Sequence, residues 1–182
     1  MGIIEGRVAR AFLIGPAIAG LACVLLCAAG SAAQERGRVE EYQVKASFLV
    51  NFAKFVTWPS SEDPLVLAIV GVDPFGPYLD TIVRGKAVNG RRIEVRRLQA
   101  GESLEGCQIV FVSVSESART AEILEQARHA PVLTVGETQR FLRDGGMIRL
   151  LVEDDRVRFQ MDGRRAEAAV RVSSQLLALA AR

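Results

Sequence analysis

Five residues with side-chain oxygens follow apolar runs typical of buried strands, and together they could form a small-molecule site. They are Asp73, Ser113, Ser115, Glu137 and Thr138. The carboxyl ends of parallel strands share one edge of a sheet, and open α/β sheets bind their ligands at that edge. Ser115 also stands at a predicted helix start, where free backbone N–H groups attract anions. Because the same residues suit ordinary caps and turns, both a ligand crevice and a purely structural role stay open.

The usual signatures of catalysis and metal binding are missing from the sequence. His129 is the only histidine, and its place at the end of a predicted helix suits an exposed imidazole that stabilises the helix. One histidine and few cysteines do not make the usual three- or four-ligand zinc set. No nucleophile elbow, phosphate-binding P-loop or H-E-x-x-H motif occurs, and Asp154-Asp155 suits a turn. The sequence therefore predicts no enzyme, no metal and no cofactor.

The elements that would position these residues alternate between strands and helices. Continuous apolar runs predict strands that are buried on both faces, and apolar residues recurring every three or four positions predict helices. Two late strands joined by Glu153-Asp154-Asp155 predict a tight hairpin. The order predicts an α/β sandwich with a mostly parallel sheet and an antiparallel edge hairpin. The predicted strands are 65–70, 88–98 (bent at Asn89-Gly90), 108–113, 131–135, 147–152 and 156–161, and the predicted helices are 39–56, 77–83, 115–128, 138–143 and 164–181.

The start of the chain has the order of a secretory signal peptide. Arginines precede an apolar run, 11–26, and small residues, 28–33, follow it. Small side chains at Ser31 and Ala33 predict cleavage after Ala33 and export from the cytoplasm. An uncleaved anchor is an alternative, but glycine and proline interrupt the run, which is shorter than the roughly 20 residues that a span needs. The cysteines of this segment fit a lipid-attachment pattern poorly.

Cleavage would leave a chain with one α/β domain over residues 39–182. Of the three cysteines only Cys107 would remain, so no internal disulfide could form and the core alone must stabilise the domain. Cys107 precedes a predicted buried strand, which suits an inert thiol better than a redox switch. The net charge of the whole chain is only +2, and no basic stripe argues for nucleic acid.

An aromatic group surrounds the end of the first predicted helix. The helical spacing of its phenylalanines suits a core, while a partner-binding face is the alternative. Lys45 and Lys54 flank the group, and we expect both on the solvated face of the helix. The aromatic residues are Phe48, Phe52, Phe55 and Trp58.

Six phrases of the sequence carry a resemblance when they are taken in order. They are KASFLVNFAKFVTWP (45–59), GCQIVFVS (106–113), LTVGE (133–137) with Phe141, GGMI (145–148), VRFQMD (157–162) and SSQLL (173–177). Together they resemble one known family, the YfiR-type periplasmic regulators. The first phrase alone is fairly specific, the ordered set is strongly so, and together they cover roughly residues 42–180.

The resemblance implies a Rossmann-like three-layer sandwich that acts in the periplasm without catalysis. The best-known members bind the periplasmic sensor domain of an inner-membrane diguanylate cyclase and repress it, which lowers cyclic-di-GMP and biofilm formation. Others accompany sensor kinases or outer-membrane receptors, so the implied partner is the periplasmic domain of an inner-membrane signalling protein. The family also suggests self-association, a homodimer for example. Its best-known members carry disulfides that this chain could not form internally after cleavage.

The late hairpin is the candidate partner-binding surface. Adjacent Leu150 and Leu151 point to opposite faces of a strand, so we expect one of them at the surface. Edge strands also leave backbone groups free for pairing, and Glu153, Arg158 and Gln160 would surround them. Alternatively, the terminal helix covers both faces of the hairpin. The alternative function is a periplasmic small-molecule-binding module that uses the strand-end crevice and feeds a sensor kinase.

Overall fold

A computed structural model of the chain describes residues 15–59 and 63–180. The chain divides into two compact units, residues 1–39 and 40–182, and the described part of the first is helical. The arginines of the predicted signal peptide lie outside the described residues, and cleavage near Ala33 stays a prediction. No helix within 15–59 or 63–180 is both long enough and apolar enough to cross a membrane.

The second unit alternates strands and helices, as the sequence predicts. The strands are β1 (Val56–Thr57), β2 (Leu65–Val70), β3 (Ala87–Val88), β4 (Arg91–Leu98), β5 (Ile109–Val112), β6 (Leu133–Gly136), β7 (Ile148–Glu153), β8 (Arg156–Met161) and β9 (Arg171–Val172). The helices are α1 (Gly15–Lys54), α2 (Pro77–Val83), α3 (Thr120–Ala127), α4 (Gly163–Ala169) and α5 (Ser174–Ala180).

Seven of the described strands form one sheet in the order β3-β4-β2-β5-β6-β7-β8. The five central strands, from β4 to β7, are parallel, and the antiparallel strands β3 and β8 flank them. The predicted edge hairpin is therefore confirmed as β7–β8, and β3–β4 adds a second hairpin at the other edge. The turn between β3 and β4 uses Asn89 and Gly90 with positive φ angles, which suits a tight hairpin rather than the predicted bend.

Helices cover both faces of the sheet, which makes the Rossmann-like α/β sandwich that the resemblance implies. In β2, Leu65, Leu67 and Ile69 pack into one apolar cluster, which includes residues of α1, α2, α4 and α5. The alternate residues, such as Val66 and Ala68, pack into a second cluster with residues of α3. Because both faces are covered, all six residues of β2 are buried, as the continuous apolar run indicates.

The prediction of one continuous helix over residues 164–181 is wrong. Val170 adopts an extended conformation, and the helix is divided into α4 and α5 by β9. β9 pairs with β1 in a separate two-stranded sheet, where Val172 lies opposite Val56. The strand pairing supplies hydrogen bonds that replace those of a continuous helix, and the Ser173 N–H donates to the Phe55 carbonyl at 2.8 Å.

The predicted helix 115–128 is shorter than expected. A 3-10 turn over Val114–Glu116 comes first, and α3 begins only at Thr120. Segment 138–143 forms hydrogen-bonded turns, with Phe141 N–H donating to the Thr138 carbonyl at 3.0 Å.

Phe141 is held between two glycines at the end of β6. Its side chain is fully buried, and a Cβ added to Gly136 would lie 2.4 Å from the ring. A Cβ added to Gly146 would lie 2.1 Å from the ring on another side. Neither glycine has a positive φ, so close packing rather than backbone conformation requires glycine here.

We expect Gly146→Ala to lower the free energy of unfolding by about 1–3 kcal/mol, because the added methyl group overpacks a buried ring. Urea unfolding would measure the effect. Gly37→Ala is the control, since Gly37 lies in α1 and a Cβ added there would meet no atom within 4 Å beyond its chain neighbours and the adjacent helix backbone. It should leave stability unchanged or slightly raised. Equal destabilisation by both changes would contradict this packing.

Candidate functional site

The strand-end edge between β2 and β5 is where the strand order reverses, the usual ligand position in doubly wound sheets. Here the chain itself occupies that position. The Ser115 hydroxyl accepts the Val72 N–H at 3.0 Å and donates to Glu116 at 3.2 Å. A Cβ on Gly71 would lie 2.4 Å from the same hydroxyl oxygen, so Ser115 packs directly on the end of β2.

Ser113 and Asp73 act as caps of local turns. The Ser113 hydroxyl accepts the Ser115 N–H at the start of the 3-10 turn, so Ser115 is not the N-cap of α3. One Asp73 oxygen accepts the Phe75 N–H at 2.7 Å, and the other accepts Arg97 Nε at 2.8 Å. The hydrogen bond to Asp80, and to a smaller extent the one to Asp73, raises the pKa of Arg97. The guanidinium beside β2 therefore stays charged.

Glu137 lies in a buried ionic cluster rather than an open crevice. Its side chain is only 6% exposed, and it pairs with the ammonium of Lys45, whose side chain is 4% exposed. Tyr42 donates to the other Glu137 oxygen at 2.9 Å, and Glu41 lies 2.5 Å from the Lys45 ammonium. The prediction that Lys45 is solvated is therefore wrong, because this residue joins α1 to the end of β6.

The strand-end residues are thus engaged in internal contacts. Ser113 and Asp73 cap turns, Ser115 contacts β2, Glu137 pairs with α1, and the Thr138 carbonyl starts the turn around Phe141. Of the two alternatives that the sequence allows for these residues, a ligand crevice and a structural role, these contacts support the structural role.

The β7–β8 hairpin places its two leucines on opposite faces, as their adjacency predicts. Leu150 lies opposite Phe159 and is fully buried in the core, so its side chain is not accessible to a partner. This corrects the inclusion of Leu150 among the candidate docking residues. Leu151 lies opposite Arg158 and is half-buried, so it is the leucine that reaches the surface.

A groove of about 460 Å³ lies along this hairpin. Four candidate docking residues, Leu151, Glu153, Arg158 and Gln160, line it together with residues of α1 and α5. We call it the hairpin groove, and its lining residues are Phe48, Leu151, Glu153, Val157, Arg158, Phe159, Gln160, Leu179 and Ala180.

The aromatic group divides between the core and the hairpin groove. Phe52 is buried, whereas Phe48 is half-buried, and both rings contact Phe159 with centroids 5.2 and 5.9 Å away. Leu179 of α5 adds a large apolar side chain that is 52% exposed. Sequence reasoning missed Leu179 because the break after α4, which brings α5 to β8, has no clear signal in the sequence.

The chemistry of the hairpin groove suits binding. Arg158 lies 3.5 Å from Glu153 and 4.0 Å from Asp154, so charges border an apolar floor. β8 ends the order of the main sheet and has β7 as its one partner strand among the described residues. Its outer backbone N–H and C=O groups lack a pairing strand in the described part of the chain, which leaves an edge that a partner strand can extend.

His129 and Cys107, the residues considered for catalysis and redox chemistry, lie outside the hairpin groove. His129 is exposed, and Cys107 is buried. Burial raises the pKa of the Cys107 thiol, although nearby Arg96 partly opposes this, so the reactive thiolate is scarce near neutral pH. Within residues 15–59 and 63–180, no group of three or more His, Cys, Asp and Glu side chains could hold a metal ion.

A comparison with protein families finds a match over most of the chain. A family model described as YfiR/HmsC-like matches residues 42–181. The match begins at Tyr42, beside the buried ionic cluster, and includes β1 to β9.

We expect Lys45→Met to lower the free energy of unfolding by about 3–5 kcal/mol, because it leaves the buried Glu137 carboxylate without its cation. Lys54→Met is the control, since Lys54 lies exposed on the same helix, and its effect should stay within about 0.5 kcal/mol. Chemical denaturation of both variants would measure the difference. Adding Glu137→Gln to Lys45→Met should recover part of the loss, and equal effects of the two lysine substitutions would refute the buried ion pair.

Proposed function

Since the chain belongs to the YfiR/HmsC-like family, we propose that it binds and represses the periplasmic sensor domain of an inner-membrane diguanylate cyclase. Repression lowers cytoplasmic cyclic-di-GMP and, with it, biofilm formation. The family itself supports the coarser statement, a periplasmic regulator of diguanylate cyclase signalling. A sensor kinase is the alternative partner.

A regulator without catalysis acts only through differential binding. It must bind the inactive state of its partner more tightly than the active state, and the difference in affinity sets how far the partner is shifted. A difference of a few kcal/mol silences most of a two-state enzyme. A few buried anchor residues within a modest interface can supply that energy.

The hairpin groove is the observation that carries the proposal. It combines a half-buried aromatic side chain, Phe48, an exposed aliphatic one, Leu179, and the charged Arg158, which are the kinds of residue that anchor interfaces. The free edge of β8 adds backbone donors and acceptors that a strand of the sensor domain could pair with. Apolar anchors would give affinity, and backbone pairing would fix the orientation of the partner.

The proposal also requires that the chain is exported to the periplasm. The predicted signal peptide, with cleavage near Ala33, would place residues 34–182 in the periplasm beside the sensor domain. Self-association of the exported chain, for example as a homodimer, stays an expectation from the family.

A small-molecule module at the strand-end edge has less support. Ser115 and Asp73 accept backbone N–H groups of the segment that follows β2, and Glu137 is paired with Lys45. A ligand there would have to displace these internal contacts.

We expect the double variant Arg158→Glu with Leu179→Asp to lose repression, because both changes alter the hairpin groove while leaving the core intact. Loss of two anchors should weaken binding at least about tenfold. In a deletion strain carrying this variant, cyclic-di-GMP measured by mass spectrometry should stay at the raised level of the deletion.

The matched control is Arg143→Glu with Val114→Asp, which places the same new side chains outside the groove. Val114 is 50% exposed, close to the exposure of Leu179, and Arg143 is exposed. This control should restore the wild-type level of cyclic-di-GMP, with immunoblots confirming equal periplasmic amounts. Full repression by the groove variant, or equal failure of both, would rule out the hairpin groove as the docking surface.

A further inference from the structure

The outer side of β8 offers a row of backbone donors and acceptors. The Met147 carbonyl, just before β7, accepts the Asp162 N–H at 2.8 Å, so the backbone of Asp162 faces β7. Because backbone groups alternate in direction along a strand, the even-numbered residues of β8 face β7 and the odd-numbered ones point away. No strand pairs with this outer side in the described part of the chain. The residues with outward N–H and C=O groups are Val157, Phe159 and Met161.

The side chains of β8 alternate in the same way. Phe159 and Met161 pack against the core on one face, and three polar residues lie exposed on the other. Arginines on an edge strand oppose a partner strand that sets another arginine opposite them. A strand that pairs with β8 must therefore place neutral or acidic residues at these positions. The exposed polar residues are Arg156, Arg158 and Gln160.

A second copy of β8 meets the backbone requirement in one antiparallel register. When Phe159 lies opposite Phe159 of the second copy, Val157 lies opposite Met161 and Met161 opposite Val157. In pairs of this kind the two residues exchange both of their hydrogen bonds. All the outward N–H and C=O groups of both strands are then used, and the apolar side chains meet on one face of the joined sheet.

The same register also suits the charges. Arg158 lies opposite the neutral Gln160 of the second copy, and Arg156 lies opposite its Asp162. The Asp162 side chain is 34% exposed and pairs with Arg165 at 3.1 Å. Since a carboxylate has about four acceptor sites, Asp162 can take a second guanidinium as well. The paired strands therefore set no two like charges directly opposite each other.

The other two-fold registers of β8 are less favourable. Centring the pair on Val157 or on Arg158 sets arginine opposite arginine, which is destabilising. Centring it on Gln160 or on Met161 extends the pairing into α4, so Val157 has no strand residue opposite it. The arginines of the edge thus select the register centred on Phe159.

We propose that a second copy of this chain pairs with β8 in this register and joins the two main sheets across a two-fold axis. Such an interface is self-complementary, because the same surface serves both copies. Leu179, which lines the hairpin groove along β8 and is 52% exposed, would lose solvent exposure on pairing. A paired chain could not offer its groove to the sensor domain at the same time; this consequence alone rests on the proposed function.

Sedimentation equilibrium tests the pairing. The protein is purified after export, its N-terminus is checked by mass spectrometry, and its mass in solution is measured at concentrations up to about 1 mM. We expect a reversible equilibrium between monomer and dimer. Val157→Pro removes an outward N–H and should weaken dimerisation at least about tenfold, because each dimer loses two hydrogen bonds.

Val152→Pro is the matched control. Val152 lies opposite Val157 in the β7–β8 hairpin and is 47% exposed, and its N–H points away from β8. The same substitution is thus made in the same hairpin, away from the outer edge, and it should leave dimerisation unchanged. Circular dichroism would confirm that both variants are folded.

Cross-linking tests the register without proline. Arg158 and Gln160 of the two copies would form a pair that is not hydrogen-bonded, with Cα atoms about 4.5 Å apart, which a disulfide can span. Under mild oxidation, a mixture of Arg158→Cys and Gln160→Cys chains should cross-link as mixed dimers, while either variant alone stays largely monomeric. Cys107 is buried and should not compete.

Three results would overturn the pairing. They are a monomer at every concentration, equal weakening by the two proline variants, and cross-linking of each cysteine variant with itself as readily as with the other. If Val157→Pro failed to fold, the cross-linking result would decide alone. Since no sensor domain is present in these experiments, such failure would leave repression through the hairpin groove standing.

Discussion

The need to cover both faces of a parallel sheet governs this structure. Strands β2, β5 and β6 are buried on both sides, so helices must pack on each face of the sheet there. α1 helps cover one face and is joined to the end of β6 by the buried pair of Lys45 and Glu137. Because α1 is fixed in this way, Phe48 is brought to Phe159 and becomes a wall of the hairpin groove.

The same constraint explains where binding surfaces can exist. With both faces of β2, β5 and β6 covered, the accessible parts of the sheet lie toward its edges. One edge has the hairpin groove and the open side of β8. The strand-end position used by many related folds is instead taken by Ser115 on the end of β2. A regulator that acts by docking suits this distribution of surfaces.

Much of this architecture could be predicted from the sequence, because local signals agree with the fold. Continuous apolar runs predict the buried strands, and the short acidic turn predicts the β7–β8 hairpin. Other features depend on contacts between distant residues. The division of the last helix follows from pairing of β9 with β1, and the burial of Lys45 follows from Glu137, 92 positions away. For the groove, Leu151 and Arg158 could be found from alternation, whereas Leu179 could not.

Cyclic-di-GMP in a deletion strain tests the central claim most directly. The strain would be compared with the same strain producing either the exported protein or a form that lacks residues 1–33 and stays in the cytoplasm. Repression from the periplasm predicts a rise on deletion that the exported protein reverses and the cytoplasmic form does not. An unchanged level on deletion, or equal rescue by the cytoplasmic form, would contradict the account.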